Sequence, residues 1–557
     1  MTVKAFVEGR PAPVELDVFA PVGSVLPPNS ADGLPFVAAL ANNDVVSLAA
    51  PLVASARVCG LTAATREGWH VMFRSFALLL SAAARRAFPP GVRLRVRHSL
   101  RCGIFASLRD SEDGPERPAT DSEAAAVERE MRAMAEEDLP ITEETCGYEE
   151  AVARFAAEGR HDEVGLLSHR NEPVVVLVRC GSFATLRQGP CAPRAGLLGA
   201  FSLFAHDGGL VLQIPSREDP WRPAPFVPEP ELVRIHRDHA RWGDLAGVRC
   251  AADLNEAVAQ NRIGDVVEMS EALHDREFAK LAARIAERKP TPRLILIAGP
   301  SSAGKTTSCR RLAIHLRVLG LRPVQISTDD YFVPEAEDPI GPDGKPDYED
   351  IRAVDVPALR SDMAALLRGE TVRRRTFDFV AHHPVWPGDS LRLGADGVVM
   401  VEGIHALNPT VSEGIPREAT FKIYLSALPQ LGIDDASILS STDNRLVRRI
   451  VRDRQFRGRC ARETLAMWGS VRRGEEKWIF PWQSEADTHF NSSLDYELSV
   501  LRPFAAPLLA EVKPSDPEYA AARRLLAVLR NFHSIPATSV PGDSILREYI
   551  GGSLLRY

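Results

Sequence analysis

The chain has 557 residues, too many for one hydrophobic core, so two to four domains are expected. Charged residues make up 25% and hydrophobic residues 45%, which excludes a disordered or fibrous chain. The net charge of -7 argues against a surface that binds polyanions over its whole extent, although a local basic patch stays compatible with it.

The cysteines and the apolar stretches indicate the part of the cell in which the protein is expected. The eight cysteines are scattered, with no CxxC pair and no spacing typical of a disulfide framework. The first ten residues lack the apolar core of a signal peptide, and the apolar stretch 76–84 is about half the length of a membrane span. These features predict a cytoplasmic protein with no membrane segment.

The N-terminal half predicts two domains. Residues 1–60 alternate β-like runs, at 3–7 and 14–18, with turns, which is typical of a small β-grasp domain. Residues 61–240 predict an α+β domain, with helices near 69–86 and 122–137 and a strand at 174–178. The proline-rich stretch 220–230 marks its end.

The C-terminal half begins after a helical connector. Residues 241–290 form this connector, and Val266, Met269 and Leu273 give it apolar helical periodicity. Residues 291–557 predict an α/β domain with a parallel sheet flanked by helices. The tail from 515 shows helical periodicity but no assignable chemistry.

A phosphate-binding loop is the strongest motif in the chain. The apolar strand 294–298 is followed by a complete G-x-x-x-x-G-K-[ST] sequence and then by a helix. That helix is predicted to bury Cys309, Leu312, Ala313, Leu316 and Leu319 on one face. The predicted nucleotide-binding residues are Gly299, Ser301, Ser302, Ala303, Gly304, Lys305, Thr306 and Thr307.

The spacing of this motif follows from phosphate chemistry. A tight glycine-containing turn lets backbone N–H groups converge on phosphate oxygens, and the helix N-terminus adds its positive end. Lys305 is expected to reach the β- and γ-phosphates, and the Thr306 hydroxyl to ligate Mg²⁺. The loop therefore predicts binding of ATP and Mg²⁺.

Two acids follow neighbouring strands at the edge where such sheets bind ligands. Asp329 comes after the strand 324–327 and is placed to accept a proton from an acceptor hydroxyl. A helix-capping or surface role for Asp329 is the alternative. Glu402 comes after the strand 398–401, where an acid holds Mg²⁺ directly or through water.

A segment rich in arginine lies between residues 445 and 459. Arg445, Arg448, Arg449 and Arg452 recur at spacings of three and four, so they share one side of a helix. A solvated basic face would explain them. After a phosphate-binding loop, a lid that neutralises the transferring phosphoryl group is the other explanation, with Arg449 and Arg452 as catalytic residues.

These motifs together resemble the uridine kinase and phosphoribulokinase group of P-loop kinases over about residues 293–512. The resemblance implies that Asp329 is the catalytic base and that Glu349, in place of the usual Asp, contacts ribose hydroxyls. It also implies that Phe377, in place of a Tyr, and His382 contact the base, within the segment 377–382. The remaining residues implied near substrate or phosphates are Tyr331, Phe332, Arg449, Arg452, Arg457 and Arg459.

The N-terminal half resembles threonyl-tRNA synthetases. Residues 1–60 look like their TGS module, and residues 61–240 look like their editing domain. The sequences 97–99, 179–181 and 189–193 carry this likeness. The editing metal motifs are altered to His98 with Cys102 and Arg187 with Cys191. This leaves a three-ligand His98, Cys102 and Cys191 site or ordinary buried thiols, and makes editing activity unexpected.

The sequence leaves three possible functions open. The first is a nucleoside kinase that phosphorylates a 5′-hydroxyl, and the second is a kinase of a sugar, sugar phosphate or other metabolite. The third is an RNA-binding protein that senses nucleotides, suggested by the TGS-like region but opposed by the acidic net charge. The choice of nucleoside and the oligomeric state stay open.

Overall fold

The structure, a computed structural model, describes residues 1–101, 103–111, 114–342, 344–378 and 381–555. These residues form two units. The first contains residues 1–263, 429–440 and 506–534, and the second contains 264–428, 441–505 and the described residues from 535 onward. Within the described ranges, no helix is long and apolar enough to cross a membrane. The division into four domains at residues 60, 240 and 290 stays a proposal.

A five-stranded sheet opens the first unit. Its order is β2-β1-β5-β3-β4, with β1 parallel to β5 and the other pairs antiparallel. Alternate residues of β1, Val3, Ala5 and Val7, point into a small core, which gives the period-two pattern of a half-buried strand. The strands are β1 Thr2–Val7, β2 Val14–Asp17, β3 Phe36–Ala41, β4 Asp44–Val46 and β5 Ala56–Thr62.

Two further antiparallel sheets and six helices follow in this unit. One sheet has the order β11-β10-β9 and the other β12-β13-β7-β6, with β8 paired to β7. The strands are β6 Arg93–Leu100, β7 Gly103–Arg109, β8 Glu116–Arg117, β9 Ile141–Gly147, β10 Val174–Cys180, β11 Phe183–Leu186, β12 Ser202–His206 and β13 Gly209–Gln213. The helices are α1 Arg66–Ala87, α2 Asp121–Glu136, α3 Tyr148–Ala157, α4 His161–Ser168, α5 Pro230–Ala246 and α6 Ala251–Ala259.

The helix α1 lies at the centre of the largest core cluster of this unit. Its residues Val71, Phe76 and Leu79 are fully buried among side chains from both sheets. The helix α2 begins with a capping box, in which Thr120 and Glu123 each accept a hydrogen bond from the other's backbone N–H. Local capping and apolar periodicity thus account for the helices that the sequence predicts here.

The proposed zinc ligands of this unit are not gathered into one site. His98 is buried, stacks on Phe105 and packs with a tilted ring against His236, and burial lowers its pKa to about 3, so it packs as a neutral ring. Cys191 lies instead beside Ser75 and Arg74. Cys102 lies outside the described residues. Among the described residues no group of three His, Cys, Asp or Glu could hold a metal ion.

A parallel five-stranded sheet forms the core of the second unit. Its order is β15-β20-β14-β21-β22, and small two-stranded sheets pair β16 with β19 and β17 with β18. The strands are β14 Leu294–Ala298, β15 Arg322–Ser327, β16 Thr371–Arg373, β17 Thr376–Asp378, β18 His383–Val385, β19 Ser390–Arg392, β20 Gly397–Glu402, β21 Thr420–Ser426 and β22 Thr488–Asn491. This confirms the predicted α/β domain with a parallel sheet flanked by helices.

Eight helices complete the chain, and α13 with the end of α12 belongs to the first unit. They are α7 Ile263–Glu287, α8 Lys305–Val318, α9 Val356–Leu367, α10 Ser441–Phe456, α11 Ala461–Gly474, α12 Glu497–Ala510, α13 Tyr519–Leu529 and α14 Arg547–Ile550. In α8 the residues Cys309, Leu312 and Leu316 are buried as predicted, but Leu319 is 48% exposed. Leu319 lies one residue after the end of α8, and Met269 of α7 is likewise 42% exposed because it lies outside the buried stripe of its helix.

Candidate active site

The phosphate-binding loop joins β14 to the N-terminus of α8. Gly304 adopts a left-handed conformation with φ +78°, which permits the tight turn into the helix. A Cβ at Gly299 would lie 2.3 Å from the backbone oxygen of Leu425, so only glycine fits at the start of the loop. The Lys305 Nζ donates to the carbonyl of Pro300 at 3.2 Å. The loop therefore has the turn that its motif requires.

Arginines of α10 donate hydrogen bonds to this loop. The Arg445 Nη1 donates to the carbonyl of Ser301 at 3.0 Å, and the Arg449 Nη1 donates to the Ser301 hydroxyl at 2.7 Å. The Arg448 Nη1 reaches the carbonyl of Ser302 at 3.4 Å. Arg445 and Arg448 are 3% and 0% exposed, so a solvated basic face does not explain them, and a lid role for the arginines of this segment stays a prediction. They position the loop, whereas Arg452, Arg457 and Arg459 lie further along the chain.

Two buried glutamates fix these arginines. Glu475 forms a bidentate ion pair with Arg445 and also accepts a hydrogen bond from the backbone N–H of Ser301 at 3.1 Å. Glu497 accepts from the Arg448 Nε at 3.0 Å. Burial alone would raise the pKa of Glu475, but the charges of Arg445 and Arg472 hold it below its usual value. Glu475 therefore stays ionised beneath the loop.

The C-terminal segment also contacts the loop. The Glu548 carboxylate of α14 accepts hydrogen bonds from the Thr307 hydroxyl and backbone N–H. The Tyr549 hydroxyl donates to the carbonyl of Ser302 at 3.0 Å, and its ring lies under the Arg448 guanidinium. Neither residue was predicted, because no motif marks the tail and these contacts join positions more than 240 residues apart.

The acids predicted at the carboxyl edge of the sheet meet the loop. Glu402, the last residue of β20, accepts hydrogen bonds through Oε1 from the hydroxyls of Thr306 and Ser327, each at 3.1 Å. Burial, together with the charge of Asp329, raises the pKa of Glu402 to about 7 against the opposing charge of Lys305. The Thr306 hydroxyl and Glu402 carboxylate offer oxygen ligands of the kind that Mg²⁺ prefers.

Asp329 lies in a single turn that directly follows β15. Its side chain is exposed, and its backbone N–H donates to the Ser327 hydroxyl at 3.3 Å. The charge of Asp329 raises the pKa of both Glu402 and Glu349, and it opposes the lowering of the pKa of Arg457. Its carboxylate therefore lies within electrostatic reach of the other predicted site residues.

Glu349 is a half-buried acid of the site whose Oε2 is buried. Its Cβ lies 2.2 Å from the position that a Cβ on Gly474 would occupy, so the two backbones approach closely. Burial raises its pKa to about 7, and the charges of Arg449 and Lys305 oppose the shift. Its Oε2 has no hydrogen-bond partner among the described residues. A bound molecule with hydroxyl groups could supply the missing donors.

Four rings gather beside these acids. Phe377 lies 5.7 Å from Phe332 and 5.2 Å from His382, and Tyr348 lies 5.7 Å from His382, measured between ring centroids. The buried Asp338 carboxylate lies 3.0 Å from the His382 Nε2. Residues 379 and 380 of the predicted base-contacting segment lie outside the described residues. The structure thus brings Phe377 and His382 together, as the resemblance implied.

Tyr331 does not belong to this group of four rings. Its hydroxyl donates to the Asp362 carboxylate at 2.8 Å, and its ring is buried in the core beside α9. The Arg375 guanidinium lies over the ring at 5.1 Å. The side chain of Tyr331 is therefore used inside the fold, and Tyr348 is the tyrosine that joins the ring group.

Comparisons with known proteins identify the family of the domain that contains this site. The sequence model of the Phosphoribulokinase / Uridine kinase family matches residues 294–499. The uridine kinase of Deinococcus deserti is 30% identical over 169 residues, which are 30% of this chain and 72% of that kinase. The chain belongs to the phosphoribulokinase / uridine kinase family. The matched region, residues 294–499, is therefore a domain of the P-loop kinase type.

Other known proteins are similar to the chain at lower sequence identity. The threonine–tRNA ligase of Syntrophotalea carbinolica is 28% identical over 192 residues, 34% of this chain. The chain spans 28% of that ligase's length. A possible uridine kinase from Bacillus stearothermophilus, of known structure, is 21% identical and covers 39% of this chain and 98% of its own. Its TM-score of 0.27 is too low to support an argument.

Proposed function

We propose that this kinase transfers the γ-phosphate of ATP to the 5′-hydroxyl of a nucleoside, with Asp329 accepting the hydroxyl proton. The observation that carries the proposal is electrostatic. Lys305 of the phosphate-binding loop and Asp329 of the sheet edge both shift the pKa of Glu402 and Glu349, so these four groups lie within electrostatic reach of one another, which supports a shared site. A carboxylate near the phosphate loop can orient an alcohol and take its proton.

Each residue has a distinct role in this proposal. The backbone N–H groups of the loop and the ammonium of Lys305 would bind the phosphates, and Arg449 and Arg452 would stabilise negative charge on the phosphoryl group. Thr306 and Glu402, whose oxygens lie 3.1 Å apart, would hold Mg²⁺. When bound, that ion neutralises charge on the phosphate oxygens. Arg457 and Arg459 would approach from the segment after α10.

The acceptor is inferred from two features of the pocket. Glu349 has a buried carboxylate oxygen that lacks a donor among the described residues, which suits the hydroxyls of a ribose. The rings of Phe332, Phe377, Tyr348 and His382 suit stacking with a planar base, which a simple sugar lacks. A nucleoside therefore satisfies both features.

The test is a substrate panel with the full chain, ATP and Mg²⁺. Common nucleosides, pentoses and hexoses are compared by ADP release, and the products are identified by mass spectrometry. Asp329→Asn should reduce kcat by about 10²- to 10⁴-fold, the usual contribution of a general base. Asp330→Asn is the matched control, since that neighbouring carboxyl accepts backbone hydrogen bonds from Ser327 and Phe377.

The other outcomes of the panel discriminate between functions. Phosphorylation of a sugar without any nucleoside would favour the metabolite kinase. Salt-dependent RNA binding with no phosphoryl transfer to any compound would favour a nucleotide-sensing RNA-binding protein. Full activity of Asp329→Asn would remove that residue from the role of base.

A further inference from the structure

A cavity of about 200 Å³ in the first unit has no part in the kinase site. It is bounded by α13, by the beginning of α1 and by the loop that follows β11. Two carboxylates, those of Asp44 and Glu67, line it. Five guanidinium groups also line it, those of Arg74, Arg187, Arg523, Arg524 and Arg530. The Arg187 Nε forms an ion pair with Glu143 Oε1 at 2.7 Å, so the surplus is two positive charges.

Asp44 holds Arg523 only loosely. The distance from Asp44 Oδ2 to Arg523 Nε is 3.9 Å, which exceeds the length of a charge-assisted hydrogen bond, about 2.7–2.9 Å. The Arg523 side chain is 55% exposed. Its guanidinium is therefore open to a shorter contact from an anion in the cavity.

The cavity wall is built by specific contacts. The Arg74 Nε and Nη2 donate to the carbonyl of Pro190 at 3.2 and 3.1 Å, and Gly189 lies flat against the Arg74 guanidinium. The Arg530 Nη2 donates to the carbonyl of Arg187 at 3.2 Å. These contacts fix two of the guanidinium groups in place, as a preformed binding site requires.

A buried amide in the wall needs a partner. The Gln188 Oε1 accepts a hydrogen bond from the Asn531 Nδ2 at 3.1 Å, which sets the orientation of the Gln188 amide. The Gln188 Nε2 is buried and has no hydrogen-bond partner among the described residues. A buried donor without an acceptor is unfavourable by about 1–3 kcal/mol unless a ligand or ordered water satisfies it.

We propose that this cavity binds a compact phosphomonoester. A phosphomonoester carries between one and a half and two negative charges at neutral pH, and planar guanidinium groups match its oxygens in pairs. The cavity is smaller than the roughly 300–1,000 Å³ of sites for drug-sized ligands, so it suits a phosphate on a sugar-sized alcohol. Arg74 and Arg187 stand beside Cys191, where the synthetase-like sequence has lost its metal-ligand pattern.

The experiment uses the full chain with ribose 5-phosphate and glucose 6-phosphate as probes, and with ribose as the uncharged control. Isothermal titration measures affinity, and hydrogen–deuterium exchange locates the site by peptide. Either sugar phosphate should protect peptides covering residues 183–192 and 519–530, whereas ribose should protect neither. Protection confined to the kinase loop, residues 299–310, would overturn the proposal.

Variants separate this cavity from other phosphate-binding surfaces. Arg523→Gln and Arg524→Gln should each weaken binding at least about tenfold, since each removes a charge-assisted hydrogen bond. Arg129→Gln, an exposed position on α2, removes the same charge and should bind as the unaltered chain does. Arg523 is 55% exposed, so its variant tests the proposal even if Arg524→Gln unfolds.

Two results would contradict the proposal directly. Equal affinities of Arg523→Gln and Arg129→Gln would show that the cavity arginines do not bind the probe. Protection of the same two peptides by a short RNA, with none by either sugar phosphate, would identify a polynucleotide surface instead.

Discussion

The Glu548 carboxylate accepts hydrogen bonds from the Thr307 hydroxyl at 2.7 Å and from the Thr307 backbone N–H at 3.3 Å. Thr307 lies in the first turn of α8, where unsatisfied N–H groups and the helix dipole attract anions. A carboxylate therefore occupies donors that phosphate oxygens would use. The C-terminal segment and a nucleotide compete for the same end of this helix.

Glu548→Ala should lower the KM for ATP. Removing the competing carboxylate frees the Thr307 donors, and a hydrogen bond to a charged group contributes about 1.5–3 kcal/mol, or roughly tenfold or more in affinity. Steady-state kinetics with varied ATP measure the change. Asp543→Asn, an exposed acid of the same segment, should leave the KM unchanged. A higher KM in Glu548→Ala would mean that Glu548 helps to bind the nucleotide.

Activity should depend on the ionisation of Glu402. Because its pKa is raised to about 7, the carboxyl is protonated below that pH and cannot bind a cation well. The ratio kcat/KM should therefore fall as pH decreases from about 8 to 6. A higher Mg²⁺ concentration should move the midpoint to lower pH, since the cation favours the carboxylate. A pH profile of kcat/KM that does not change with the Mg²⁺ concentration would contradict the role of Glu402 in binding the metal.

A second acid with the same pKa needs to be separated from Glu402. Burial also raises the pKa of Glu349 to about 7. In Glu349→Gln the Mg²⁺-dependent shift of the midpoint should persist, whereas in Glu402→Gln it should disappear. The comparison assigns the Mg²⁺-dependent part of the profile to one carboxyl.

The ion pair between Arg445 and Glu475 should be important for stability. Both side chains are buried, and removing one member of such a pair leaves an uncompensated charge that destabilises by about 3–5 kcal/mol. Glu475→Gln should therefore lower the thermal midpoint of the kinase unit clearly. Since its pKa is lowered in the fold, this stabilisation is present above the ordinary value of 4.5 and is lost as pH falls towards the lowered one.

The matched control is the next residue along the chain. Glu476 is 58% exposed and contacts Arg472 at 3.1 Å, so Glu476→Gln should change stability by less than about 1 kcal/mol. Differential scanning calorimetry of the full chain measures both variants. Equal effects of the two substitutions would show that the buried pair has no special role.

The contact of Asp338 with His382 should affect binding of the acceptor rather than binding of ATP. Asp338 is buried and holds the ring that lies beside Phe377 and Tyr348. Asp338→Asn should raise the KM for the acceptor about tenfold, as loss of a charge-assisted contact predicts, while the KM for ATP stays constant. Glu337→Gln, at an exposed neighbour, is the control. Equal rises in both KM values would indicate general damage to the fold.

The sequence predicts the parts of this kinase that are encoded locally. The strand, loop and helix around Lys305 follow from one contiguous motif, and Asp329 and Glu402 follow from their positions directly after strands. The burial of Arg445 and Arg448 was missed because helical spacing shows which residues share a face but not what that face meets. Their partners Glu475 and Glu497 lie 30 and 49 residues away, with no motif to link them.

The arginine cavity and the tail contacts were missed for the same reason. Arg74, Arg187 and Arg524 come from three distant stretches. Arg74 and Arg524 stand in no recognisable pattern, and Arg187 was noted only as a replaced metal ligand. His98 and Cys191 were grouped from sequence by analogy with metal motifs. The fold instead stacks His98 on Phe105 and places Cys191 beside Ser75.

The division of the chain between its two units has a consequence for shortened proteins. The backbone passes from one unit to the other five times, after residues 263, 428, 440, 505 and 534. A protein beginning at residue 291 would retain Asp435 without Arg95 and Asn531 without Asn255, although these pairs are joined in the intact chain. Neither the synthetase-like half nor the kinase half can therefore be removed as a simple tail, and a gene split at one point would leave both products incomplete.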